Sequence, residues 1–157
     1  VCQEAWQRSW NDGCGVLHGA KGAMAVTLVS VVVCSYNSAD TLGDALDSAL
    51  SQSFDSSQYE VILVDDGSTD RTAELAKVCR DRHPNFRYLR SGENRGLVAA
   101  CNYGLEATQG AYFVRLDADD TFDKDILSAF VEPLQGNVTD LVTLTDVRSI
   151  WSTAPDS

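Results

Sequence analysis

The sequence predicts an α/β protein with a mostly parallel sheet of about five strands and helices on both faces. Strand-like and helix-like segments alternate through most of the chain. This order implies right-handed crossovers between parallel strands, with the helices covering the sheet. The first strand-like segment, Val26–Cys34, is a continuous run rich in β-branched residues, which is typical of a strand buried on both faces.

Each further element has its own local signal. The first predicted helix, residues 39–51, carries its apolar residues on one face. The second, residues 69–82, is stopped by the His83-Pro84 pair. The third, residues 96–108, is closed by Gly110 at a C-cap position. The remaining predicted elements are strands at 60–64, 86–89, 111–116 and 141–145 and a helix at 124–131.

Size and composition predict one α/β domain. A chain of 157 residues with 44% hydrophobic content can bury one core but not two. We assign residues 24–150 to this domain and residues 151–157 to a tail. Residues 1–23 form an atypical N-terminal extension without helical or strand periodicity. Disorder is one interpretation of this extension, and a sequence that is not natural coding sequence is another.

Charge and cysteine content exclude several classes of protein. The net charge of −11 argues against nucleic acid or an anionic membrane as a partner, because both need a basic face. No run approaches the roughly 20 apolar residues of a membrane span. The five cysteines are an odd number without CxxC spacing, which favours reduced thiols and a cytoplasmic location.

Two clusters of carboxylates end predicted strands. Asp117, Asp119 and Asp120 follow one apolar run, and the pair Asp65-Asp66 follows another. Neighbouring carboxylates repel each other unless a positive charge lies between them, and Mg²⁺ or Mn²⁺ is the usual neutraliser. Such a cation also binds the phosphates of a nucleotide. Because parallel strands end at the same edge of a sheet, the clusters predict one ligand site there. The alternative is that these residues only form turns and helix caps.

Three loops supply further candidates for this site. Tyr36 offers a ring for stacking on a base, and Asn37 offers an amide for polar recognition. Gly67 permits a close approach of the backbone. Arg95 and the free amides of Asn94–Gly96 form a possible anion-binding corner at the start of the third helix. An ordinary turn, or a solvated side chain, is the alternative in each case.

Six short motifs, taken in order, resemble the family 2 glycosyltransferases. They are VSVVVCSYN at 29–37, LSQSF at 50–54, VILVDDGSTD at 61–70, NRG at 94–96, NYG at 102–104 and DADD at 117–120. The resemblance covers roughly residues 26–122. It implies a GT-A fold, which is Rossmann-like. It also implies a nucleotide-diphospho-sugar as the donor, usually one with uridine, and a divalent metal ion, Mg²⁺ or Mn²⁺.

The resemblance also implies roles for individual residues. Tyr36 and Asp66, with Asp65 beside it, would hold the base of the donor. The cluster Asp117–Asp120 would hold the ribose and the metal, with Asp119 as the first choice for the metal ligand. The metal candidates are Asp119, Asp117 and Asp120.

The chain departs from the family pattern in two ways. The family often has Arg immediately before the helix Asn, where this chain has Cys101. Members usually continue well past the metal motif into an acceptor-binding half that carries the catalytic base, whereas this chain stops at Ser157. We therefore expect a truncated enzyme whose catalytic residue is unknown. Asp146 is the candidate for the base, because it is the only late carboxylate at a predicted strand end.

Three functional hypotheses follow. The first is metal-dependent binding of a nucleotide sugar for inverting transfer to a glycan, lipid or protein acceptor. The second is an inactive nucleotide-sugar-binding fragment that lacks the acceptor half and the base. The third is a receiver-like phosphoacceptor domain, which needs a Lys at a later strand end. The only Lys after Asp117 is Lys124, which lies too close to follow another strand.

Overall fold

The structure is a computed structural model that describes residues 27–132. The N-terminal extension 1–23, the predicted strand 141–145, the tail 151–157 and Asp146 lie outside the described residues. None of the helices within the described range is long and apolar enough to cross a membrane.

The described chain alternates four strands with four helices, as the sequence predicts for this range. The elements are β1 (Val29–Ser35), α1 (Ala39–Leu50), β2 (Tyr59–Asp65), α2 (Thr72–Arg82), β3 (Phe86–Arg90), α3 (Leu97–Glu106), β4 (Tyr112–Asp117) and α4 (Ile126–Val131). Helix α2 begins three residues later than predicted, because Asp70 turns the chain before it. The Asp70 carboxylate accepts a hydrogen bond of 3.0 Å from the backbone N–H of Thr72.

All four strands are parallel, in the order β3-β2-β1-β4. β1 therefore lies between β2 and β4. Its last residues pair in register with the carboxylates that end those strands, Ser35 with Asp65 and Cys34 with Asp117. The parallel sheet is confirmed with four strands in the described residues, and the predicted fifth lies outside them.

Helices cover both faces of the sheet, which confirms that part of the prediction. On one face, the odd-numbered side chains of β1 pack against α1, α2 and α4. On the other face, Val32, Ile62 and Val64 pack against Ala100 of α3. A Cβ atom added to Gly104 of α3 would lie 2.5 Å from Cγ1 of Val32. Helix α3 therefore lies directly against the strands and fixes the position of the loop that precedes it.

Candidate functional site

The carboxyl edge of the sheet brings the predicted site residues together. β1 continues into Tyr36 and Asn37, β2 ends in Asp65, and β4 ends in Asp117. Since β1 lies between the other two strands, the acidic ends flank it on opposite sides. Two strand spacings of about 4.8 Å separate them by about 10 Å. The edge can therefore hold an extended ligand that contacts both acidic ends.

Asp65 is fully buried and acts as an anchor for the surrounding backbone. Its Oδ1 accepts a 2.7 Å hydrogen bond from the N–H of Ser68, and its Oδ2 accepts a 2.6 Å bond from the hydroxyl of Tyr88. Burial, together with the bond to Asp65, raises the pKa of Tyr88 to about 12, so its hydroxyl remains a donor. The Nε atom of Arg90 lies 3.6 Å from the same Oδ2. With 0% exposure, Asp65 offers no surface to a ligand in this conformation.

Asp66 has a different role, because it lines a pocket and holds the loop before α3. Its Oδ2 accepts hydrogen bonds of 2.7 Å from the N–H of Gly96 and 3.0 Å from the N–H of Arg95. Among residues 27–132, its Oδ1 accepts only a bond of 3.1 Å from the N–H of Arg95. The predicted anion corner of free amides is therefore wrong for these two groups, because a carboxylate of the protein occupies them.

Arg95 borders a different part of the surface. It lines a groove beside α3 together with Arg90, Asn102 and Tyr103, among others. It is not among the residues that line the pocket beside Asp66. The backbone N–H of Arg95 thus holds Asp66, while the residue itself borders the groove.

A pocket of about 180 Å³ lies between the end of β1 and the start of α3. Its lining residues are Cys34, Ser35, Tyr36, Asp66, Asn94, Gly96 and Leu97. Tyr36 is 46% exposed and lines this pocket. The hydroxyl of Ser35 is buried and has no hydrogen-bond partner among residues 27–132. Because its Oγ atom has almost no exposed surface, this hydroxyl offers a ligand no contact in this conformation.

Asn37 and Gly67 bring two loops of the edge together. Asn37 has a positive φ of 51°. Its N–H donates to Oγ of Ser68 at 2.9 Å, and its Oδ1 accepts from the N–H of Thr69 at 2.8 Å. Gly67 has a φ of 78°, and an added Cβ would lie 2.8 Å from the carbonyl carbon of Glu93. The close backbone approach predicted at Gly67 is thus made with the protein's own chain.

The acidic cluster after β4 is largely exposed. Asp117 accepts a 3.0 Å hydrogen bond from Nη2 of Arg115, and its carbonyl accepts from the N–H of Asp120 at 3.1 Å. Asp119 and Asp120 are exposed and make no side-chain hydrogen bond within the described range. Within that range, no three His, Cys, Asp or Glu side chains converge on a position that could hold a metal ion.

The donor set nevertheless fits a hard divalent cation. Asp119 and Asp120 provide only carboxylate oxygens, which are the ligands that Mg²⁺ and Mn²⁺ accept. Mg²⁺ at a nucleotide site is usually held by one or two carboxylates together with the phosphates of the substrate. Two exposed carboxylates are sufficient for that arrangement, and a complete cage of protein ligands is not required.

The sequence analysis missed two residues that shape this edge. Tyr88, on β3, bonds to Asp65, and no local pattern links residues that lie 23 positions apart. Asp70 accepts hydrogen bonds from the N–H groups of Ala39 and Thr72, which are the first residues of α1 and α2. Its side-chain type was a usable signal, since Asp is a preferred helix cap.

A parallel sheet that presents an aromatic ring and carboxylates at its carboxyl edge is the architecture of a nucleotide-binding α/β domain. The sequence model of the family described as "Glycosyl transferase family 2" matches residues 30–156. The chain belongs to the family 2 glycosyltransferases. The family resemblance of its motifs is thereby confirmed.

Curated relatives agree with this assignment. The chain is 36% identical over 114 residues to the glycosyltransferase AglE of Haloferax volcanii. This match covers 73% of the chain and 38% of AglE. It is 40% identical over 104 residues to the succinoglycan biosynthesis protein ExoO of Rhizobium meliloti, covering 66% of the chain and 29% of that protein. The chain therefore spans well under half the length of these relatives.

Solved structures of similar fold include nucleotide complexes. Residues 1–349 of TarS from S. aureus in complex with UDP match with a TM-score of 0.63 and 30% identity, over 68% of this chain and 32% of that one. The mannosyltransferase PcManGT of Pyrobaculum calidifontis in complex with GDP-Man and Mn²⁺ matches with a TM-score of 0.61 and 26% identity. That match covers 81% of this chain and 37% of the other. The fold is GT-A-like, as predicted.

Proposed function

We propose that this domain binds a uridine-diphospho-sugar as the donor for inverting sugar transfer. The donor binds together with Mg²⁺ or Mn²⁺. The observation that carries this proposal is the arrangement of the sheet edge. A pocket with an exposed ring lies on one side of β1, and exposed carboxylates lie on the other. UDP in a relative of 30% identity supports the choice of base.

The pocket at the start of α3 is the proposed site for the base. The exposed ring of Tyr36 can stack on a uracil. A carboxylate has about four acceptor positions, and within the described part of the chain Oδ1 of Asp66 accepts only the 3.1 Å bond from Arg95. It therefore retains acceptor capacity for an N–H of the base. Asp65 and Asn37 act indirectly, because their hydrogen bonds hold the loops that form the pocket.

The acidic cluster after β4 is the proposed site for the ribose and the diphosphate. Asp119 would hold the cation with Asp120, while Asp117 faces the ribose beside its partner Arg115. When bound, a divalent cation neutralises the charge of the diphosphate that these carboxylates would otherwise repel.

The transfer follows from this placement of the donor. An acceptor hydroxyl on a glycan, lipid or protein attacks the anomeric carbon opposite the diphosphate. The bond from that carbon to the diphosphate oxygen breaks, and a carboxylate removes the hydroxyl proton. Asp146 remains the predicted base and lies outside the described residues. We further propose a cytoplasmic location, which is supported by the odd number of cysteines without CxxC spacing.

Calorimetry with UDP tests the proposal directly. We expect UDP to bind in the presence of MnCl₂ and to lose at least about tenfold in affinity when a chelator is added, equivalent to about 1.4 kcal/mol. Equal affinity in both conditions would remove the metal from the proposal. Absence of binding in both would overturn nucleotide recognition itself.

Two tyrosines of similar exposure provide a matched pair of variants. Tyr36 is 46% exposed at the pocket, and Tyr103 is 41% exposed in the groove beside α3. Base stacking on an aromatic ring is worth about 1–3 kcal/mol. We therefore expect Tyr36→Ala to weaken UDP binding by about fivefold or more, whereas Tyr103→Ala leaves it unchanged. Similar losses in both variants would contradict the assignment of the base site.

A further inference from the structure

Two cysteines meet at the wall of the pocket. Cys34, at the end of β1, and Cys101, in α3, place their sulfur atoms 3.5 Å apart. Cys34 is buried and lines the pocket, whereas Cys101 is only partly buried. The contact joins residues 67 positions apart, so only the tertiary structure brings them together. Nothing in the proposed binding of a nucleotide uses either thiol.

The two thiols differ in their access to an oxidant. Cys101 is the more accessible of the two, so it meets an oxidant first. Burial, and then the contact with Cys101, raise the pKa of Cys34 to about 12, so Cys34 reacts second and slowly.

We propose that Cys34 and Cys101 form a reversible disulfide that joins β1 to α3 and narrows the pocket between them. A disulfide has a sulfur–sulfur distance of about 2.05 Å. The two sulfurs must therefore approach each other by roughly 1.5 Å from their present 3.5 Å. Leu97, which also lines the pocket, lies one helical turn before Cys101 on the same side of α3. Drawing Cys101 toward β1 moves the first turn of α3, which contains Leu97, into the pocket.

The oxidant is a low-molecular-weight disulfide such as oxidised glutathione. The Cys101 thiolate attacks one of its sulfurs, forms a mixed disulfide and releases the first glutathione. Cys34 then attacks Sγ of Cys101, forms the protein disulfide and releases the second glutathione. The two protein thiols lose two electrons and two protons, and the oxidant gains them as two thiols. Excess reduced glutathione reverses both steps.

The formation of the bond can be tested without any nucleotide. In a Cys2→Ser/Cys14→Ser background, Cys34, Cys79 and Cys101 are the remaining thiols. After hours with oxidised glutathione, we expect a mass lower by two hydrogens and a Cys34–Cys101 cross-linked peptide in a digest made without reductant. We expect Tm to rise, because the bond closes a long loop and restricts the unfolded chain.

Matched variants identify the pair. Cys79 packs in the core on the other face of the sheet, so Cys79→Ser should leave the cross-link intact, whereas Cys34→Ser and Cys101→Ser should each abolish it. Cys101→Ser replaces a partly buried residue, so it is the variant to rely on if Cys34→Ser does not fold. A glutathione adduct on Cys101 without the cross-link would overturn the proposal.

The effect on the pocket rests on the proposed function and has its own readout. With UDP as the probe, we expect the oxidised chain to bind at least threefold more weakly than the reduced chain, and dithiothreitol to restore the affinity. Cys101→Ser should bind equally well before and after the oxidant. Equal affinity of the cross-linked and reduced chains would overturn the narrowing of the pocket. If the reduced chain fails to bind UDP, the proposed function fails, while the mass and the cross-linked peptide still decide whether the disulfide forms.

Discussion

The carboxylate of Asp66 accepts a 2.7 Å hydrogen bond from the backbone N–H of Gly96, and this bond joins the end of β2 to the residue that precedes α3. Gly96 has a φ of 88°, a conformation that glycine adopts without strain. The amides at a helix N-terminus carry partial positive charge and attract an anion. Here that anion belongs to the protein. Asp66 thereby holds the wall of the pocket in place before any ligand arrives.

Replacing Asp66 tests this role. Asp66→Ala leaves the amides of Arg95 and Gly96 without their partner and frees the loop before α3. We expect a loss of about 1–3 kcal/mol in the free energy of unfolding and at least about tenfold in UDP affinity, measured by urea titration and calorimetry. Asp81, exposed in the last turn of α2, is the matched control. Asp81→Ala should change neither quantity appreciably, and an equal loss there would contradict a specific role for Asp66.

Asp119 should matter for metal-dependent binding more than a nearby exposed carboxylate does. Asp119 lies in the turn after β4, whereas Asp123 lies just beyond the cluster and is also exposed. We expect Asp119→Ala to weaken UDP binding in MnCl₂ by about tenfold or more, equivalent to about 1.4 kcal/mol. Asp123→Ala should retain the affinity of the parent chain. If the two variants lose affinity to the same degree in calorimetry, the cluster has no special role.

Gly67 should tolerate no side chain. Its φ of 78° is unfavourable for other residues, and an added Cβ would lie 2.8 and 2.9 Å from backbone atoms of Glu93 and Asn94. We expect Gly67→Ala to lower the free energy of unfolding by about 2 kcal/mol or more, measured by urea titration. Gly43, in α1, has open space around the position of a Cβ. Gly43→Ala should stabilise the chain by about 0.5–1 kcal/mol. If Gly43→Ala instead lowers the free energy of unfolding as much as Gly67→Ala does, the steric explanation is refuted.

Asp70 should make stability depend on pH in the acid range. Burial is the largest single contribution and raises the pKa of Asp70, but the hydrogen bonds from Thr72 and Ala39 together outweigh it and hold the pKa below its ordinary value of 3.8. Because the folded-state pKa is depressed, the stabilisation is complete above the unfolded pKa and is lost as the pH falls through the lower, folded value.

The matching experiment compares the parent chain with Asp70→Asn. At pH 7 we expect the variant to be less stable by about 0.3–1 kcal/mol, because its amide lacks the negative charge that a helix N-terminus favours. Well below pH 3.8 the difference in the free energy of unfolding between the parent chain and the variant should shrink, since protonated Asp resembles Asn. Asp44, exposed within α1, serves as the control, and Asp44→Asn should show no such trend. A difference for Asp70→Asn that is constant with pH would show that its charge plays no part.

Local patterns in the sequence predict the order of the elements and the acidic character of two strand ends. These features depend on local patterns, such as the β-branched run before Ser35 and the helical spacing of apolar residues from 39 to 51. The family motifs are local as well, since each is a short continuous segment. For the same reason, the predicted elements within residues 27–132 match the structure to within about three residues at their ends.

The role of each carboxylate depends on contacts that form only in the folded chain. Asp65 ends β2 and is buried against Tyr88, while Asp66, the next residue, faces the pocket and the amides of Arg95 and Gly96. The sequence suggested similar roles for the two, and it suggested that those amides were free. The contact of Cys34 with Cys101 was likewise invisible, because it joins residues 67 positions apart. Such contacts depend on the placement of β1 between β2 and β4 and on the close packing of α3 against it, which no local pattern specifies.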